Sequence, residues 1–129
     1  MNDLTPTESL EMKHNSAVTW GWRLLFLAAL INITWQSLKP GTGLIGPPYT
    51  DKILHFFAYL TLSGIALLSR FSLKNSALLA IILTFSILME ILQGLMNMGR
   101  TASLADIAAN LGGILTAWGL WCGAKNLKR

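Results

Sequence analysis

Three short runs of this chain set ionisable and amide side chains at helical spacing. Asp51, His55 and Tyr59 recur every fourth residue with Lys52 beside the first, Glu90 and Gln93 stand three apart, and Asp106 and Asn110 stand four apart after Arg100 and Ser103. Residues three or four apart share one face of an α-helix, so each run is a polar stripe wherever its segment is helical. An imidazole among carboxylates is suited to proton transfer near neutral pH. Lysine and arginine beside it suit an anionic group or a developing negative charge. The acids Asp51, Glu90 and Asp106 are matched by Lys52, Arg100 and His55, so a nearly neutral hydrogen-bonded cluster is feasible.

Each of these residues also has a purely structural reading. A hydrogen bond from His55 to Asp51 or Glu90 would fix helix packing without chemistry, and a buried Glu90 needs a partner such as Lys52 or Arg100 for stability alone. His55, Glu90 and Asp106 are the candidate acid–base residues of an enzymatic reading, which no nucleophile motif accompanies. No His-x-x-His or Glu-x-x-His spacing supports metal binding by the same three, so neither a metal nor another cofactor is expected. The lone Cys122 permits no internal disulfide and no multi-cysteine site, and reads as a packing residue. Met89, Met96 and Met98 read as soft packing.

The elements that carry these runs are set by the gaps between charges. With 53% hydrophobic and 12% charged residues in 129, the chain is too apolar for a small soluble domain. A span needs about 20 predominantly apolar residues. Spans are predicted over residues 20–38, 53–69, 76–95 and 104–122, separated by Lys39-Pro40-Gly41, by the Pro47-Pro48 turn and by the basic turn at 70–75. The fold class is therefore all-α, an integral membrane bundle of four transmembrane helices, with spans two and three as a tight hairpin. The fourth helix is predicted to start on a Ser103-x-x-Asp106 cap. Residues 1–19 read as a loose cytoplasmic tail, with a surface helix around 8–16 as the alternative, and residues 123–129 as a basic cytoplasmic tail.

Basic residues orient the bundle. Lys13, Arg23, Arg70, Lys74, Lys125, Lys128 and Arg129 fall on one side and Lys39, Lys52 and Arg100 on the other, so the positive-inside rule places both termini in the cytoplasm. The expected location is the bacterial inner membrane. Nucleic acid is not an expected partner, because the basic residues flank spans instead of forming one face with aromatic platforms. Trp20, Trp22, Trp35, Trp118 and Trp121 lie near span ends and read as interfacial anchors. Ala105, Ala109, Gly113 and Ala117 offer a close-packing face for the fourth span, and Gly119-x-x-x-Gly123 has the spacing of a helix-dimer motif, which admits a homo-oligomer.

Hairpin connectivity brings the start of span two, the end of span three and the start of span four to the same outward side, so the three stripes meet. Asp51-Lys52-x-x-His55-Phe56-x-x-Tyr59, then Glu90-x-x-Gln93, then Arg100, Ser103, Asp106 and Asn110-x-x-Gly113 together resemble the VanZ-like family over residues 20–122. The resemblance implies a small multi-spanning membrane protein. The family is named after a factor associated with teicoplanin resistance, and its biochemical mechanism is not established. The small, methionine-rich stretch 94–99 departs from the Phe-x-x-x-Arg stretch expected there, which bears on Arg100. Four readings follow. The first is binding of an envelope lipid or amphiphilic glycopeptide through Asp51, Lys52, His55, Tyr59, Glu90, Gln93, Arg100, Ser103, Asp106 and Asn110. The others are an enzyme acting on a lipid-linked substrate, a small oligomeric transporter, and a structural subunit.

Overall fold

The computed structural model describes residues 5–40, 47, 49–96, 99 and 101–128. Among them are four helices and no strands: α1 (Pro6–Leu38), α2 (Thr50–Leu68), α3 (Asn75–Met96) and α4 (Leu104–Leu127). Each is long and apolar enough to cross a membrane. The expected limits of spans two and three hold to within a few residues, whereas α4 runs on through the basic segment to Leu127.

The first helix corrects the sequence reading. Residues 6–19 are not a loose segment but the first turns of α1, which continues unbroken to Leu38. The cause is local: Pro6 sits at the first helical position, the Glu8 N–H donates to Thr5 Oγ1 at 3.3 Å, and the Thr5 N–H donates to Glu8 Oε2 at 2.8 Å. This reciprocal cap satisfies donors that would otherwise be orphaned. A helix of 33 residues is about 50 Å long at ~1.5 Å per residue, beyond the ~30 Å hydrocarbon core. Its N-terminal turns therefore project past the apolar layer or the helix tilts. No residue of α1 is buried, and Leu24, Leu27, Ile31 and Trp35 face outward, as a lipid-exposed helix requires.

The core is centred on α2. Tyr59, Leu62, Ala66 and Leu67 pack with Leu78, Leu79 and Ile82 of α3 and Ile114 of α4. A tight turn does join α2 to α3, but the expected intimacy of that hairpin is corrected by the packing: α2 lies most extensively against α4. Gly113 is the reason. A Cβ there would collide with the Phe56 carbonyl oxygen and come within 2.8 Å of the Leu60 nitrogen, so the two backbones touch where α4 has no side chain. On the same face, Ala117 is buried while Ala105 and Ala109 are not. Gly119 and Gly123 have open space before them.

At the opposite end from the polar stripes, α2 stops at Ser69 and Arg70 takes a left-handed φ of 47°. Arg23 of α1 crosses to this stop, donating from Nε to the Ser69 carbonyl at 3.2 Å and from its terminal nitrogen to the Arg70 carbonyl at 3.1 Å. A cation at a helix C-terminus satisfies orphan carbonyls and opposes the helix dipole. Trp20 and Phe71 flank the guanidinium at 5.2 and 5.6 Å. Trp118 and Trp121 pack partly buried against the core, so their role extends beyond interfacial anchoring.

Candidate ligand cavity at the polar end of the bundle

The stripe on α2 begins in its first turn. Asp51 and Lys52 sit there, with His55 one turn deeper and Tyr59 one turn deeper again, the last with only 2% of its surface exposed. Gly113 lets α4 approach closely enough for its own stripe to meet this one. Lys52 Nζ donates to Asp106 Oδ1 at 3.1 Å, and His55 Nδ1 lies 3.0 Å from Asn110 Oδ1. The pairings thus run in register, each residue of α2 meeting the α4 residue at its own depth.

Glu90, 1% exposed, comes from α3 behind His55. Its Oε1 stands 3.7 Å from His55 Nδ1, and its Oε2 accepts the Ser103 N–H at 3.2 Å. The predicted partner Lys52 goes instead to Asp106, because both lie in the first turns of their helices while Glu90 lies deeper. Ser103 does occupy the N-cap position of α4, yet its side chain makes no capping bond, and the expected box with Asp106 is absent. Its backbone serves Glu90 and the Asp106 carboxylate serves Lys52. The return of the chain from α3 depends on Gly94, where a Cβ would lie 3.0 Å from the Ala102 Cβ. The bare Gly94 therefore lets Ala102 pack against α3, next to the Ser103 that meets the carboxylate.

These residues border a cavity of about 650 Å³. Asp51, Lys52, His55, Tyr59, Gln93, Ser103 and Asp106 line it, whereas Glu90 and Asn110 support His55 from behind. Arg100 lies outside the described residues. Sequence reasoning missed the contribution of α1, whose Asn32, Gln36 and Ser37 form the facing wall together with Lys39. Gln93 Nε2 donates to the Ser37 carbonyl at 2.9 Å and ties α3 to that wall. The spacing of Asn32 and Gln36, four apart within the span predicted over 20–38, was the available signal. Ile33, Leu54 and Ala58 add apolar surface to the lining. One ligand atom from each of Asp51, His55 and Asp106 lies within 4.8 Å of the others, a grouping in which Asp51 stands where the sequence reading had considered Glu90.

Four helices long and apolar enough to span a membrane, enclosing a polar cavity at one end, define a multi-pass membrane protein. The VanZ/LLP1 family model matches residues 4–126, and the chain belongs to this family. The match includes the N-terminal turns of α1, which the motif resemblance over 20–122 had left out. No curated protein and no solved structure matches the chain.

Proposed function

We propose that the cavity binds the headgroup of an envelope lipid or lipid-like amphiphile at the outer side of the bacterial inner membrane. The observation that carries this reading is the mixed lining at the end of an apolar bundle. Lys39, Lys52 and Asp51 offer charge, Asn32 and Gln36 offer amide donors and acceptors, and Ile33 and Leu54 offer apolar surface beside them. Concave sites with apolar walls and a few convergent polar groups are the usual form of a small-molecule site. An amphiphile presents both characters at once, and a polar void in contact with lipid is costly unless polar matter fills it.

The pairing pattern favours binding over acid–base catalysis. Glu90 is held by the Ser103 N–H, His55 pairs with Asn110 and Asp106 with Lys52, so all three candidate acid–base residues are engaged in holding the helices together. Gln36→Trp tests the proposal, because this exposed α1 side chain faces the cavity and a bulky ring there fills it without disturbing the core. Wild type purified in mild detergent is expected to retain a distinct lipid class by native mass spectrometry, and Gln36→Trp to lose it while staying monodisperse. Identical bulk lipids on both proteins would reject the reading.

A further inference from the structure

We infer that Asp51, His55 and Asp106 form a binding site for a divalent transition-metal ion of the Zn²⁺ type, at the wall of the cavity. The argument begins with the imidazole. Its Nδ1 faces two oxygens, Asn110 Oδ1 at 3.0 Å and Glu90 Oε1 at 3.7 Å, and both of those residues are 1% exposed. With the proton on Nδ1 donated to the Asn110 amide oxygen, the lone pair of the neutral ring lies on Nε2. That nitrogen lies 3.9 Å from Asp51 Oδ1. In that tautomer a nitrogen lone pair and a carboxylate oxygen stand side by side, two ligand atoms that one cation can bridge.

Asp106 arrives from the other helix. Lys52 occupies its Oδ1 at 3.1 Å, and a carboxylate has a second oxygen and further lone pairs to offer. All three ligand atoms lie within 4.8 Å of one another, near enough for the side chains to close on one ion at metal–ligand distances of about 2.0–2.2 Å. The outer partners also fit, since a metal-bound histidine donates its remaining N–H to an oxygen, as His55 does to Asn110 backed by Glu90. Imidazole with carboxylates selects a borderline ion over Mg²⁺ or Ca²⁺, which prefer all-oxygen sites. Charge permits it: Asp51 and Asp106 bring two carboxylates to the ring against the single ammonium of Lys52, which pairs with Asp106, and a divalent cation would offset the difference.

The inference does not depend on the lipid reading, and the two fail separately. The test is calorimetric titration of ZnCl₂ into purified, detergent-solubilised full-length protein in a His14→Gln background, which removes the only other histidine. Asp51→Asn is the informative variant, because this side chain is 43% exposed and makes no described contact that the fold depends on. The expected result is saturable one-to-one binding, weakened by more than about tenfold in Asp51→Asn and unaffected by Mg²⁺ in excess. Absence of one-to-one binding, or equal affinity in Asp51→Asn, overturns the site. Lipid retention measured on the same samples reports on the headgroup proposal alone.

Discussion

At the residue scale, the Lys52–Asp106 pair is asymmetric, and the asymmetry is measurable. The Asp106 side chain is 8% exposed and that of Lys52 37%, so removing the lysine strands a carboxylate away from water whereas removing the acid leaves an ammonium that water reaches. Lys52→Met is expected to destabilise the bundle by about 1–3 kcal/mol and Asp106→Asn by distinctly less, as read from thermal unfolding in detergent. Equal losses would contradict the assignment. Asn110→Leu leaves the His55 N–H without its closest acceptor and is expected to cost about 1–3 kcal/mol, with Asn110→Gln no full substitute because it displaces the amide. The stripes themselves were legible in the sequence, since four-residue spacing on apolar segments puts polar groups on one helical face. The pairings were not. Whether Lys52 meets Asp106 or Glu90 depends on the axial register between helices, which spacing within one helix does not determine.

At the scale of the elements, the contact between α2 and α4 rests on one missing side chain. Gly113→Val is expected to separate the helices and lower the melting temperature, with a cost at or beyond the upper part of the ~1–3 kcal/mol usual for overpacking, because its clash is with backbone. The same substitution at Gly112 meets only the Phe56 ring at 3.4 Å, which moves aside, so Gly112→Val is the milder variant. If the order is reversed, the backbone approach at Gly113 is wrong. Arg23→Leu removes both donors from the end of α2 and is expected to fray that turn, seen as faster amide exchange at Ser69 to Phe71 with the cavity end unaffected. The limits of α2 and α3 were readable from charge gaps. The start of α1 was missed because Thr5-Pro6-Thr7-Glu8 is a capping box on a polar segment, where hydropathy carries no signal. The choice of α4 over α3 as the main partner of α2 was half visible, in the small residues around Gly113.

At the scale of the whole molecule, four crossings would put Pro6 and Leu127 on one side, and the excess of Lys and Arg at that side is the ground on which we propose it as the cytoplasmic one. In a Cys122→Ser background, Gly99→Cys is expected to react with a membrane-impermeant maleimide in intact cells and a cysteine at Lys128 only after lysis. The reverse pattern would invert the cavity toward the cytoplasm and with it the headgroup proposal. Within the bundle, α1 contributes little to the core and much to the cavity, a division carried in the sequence only by the four-residue spacing of Asn32 and Gln36. The most direct measurement of the central claim is photo-crosslinking in native membranes with benzoylphenylalanine at position 36, facing the cavity, and at position 115, where Leu115 is 60% exposed on the outside of α4. Mass spectrometry of the adducts is expected to find one headgroup class enriched at position 36 over the bulk distribution captured at 115. The same lipid distribution at both positions would contradict the account.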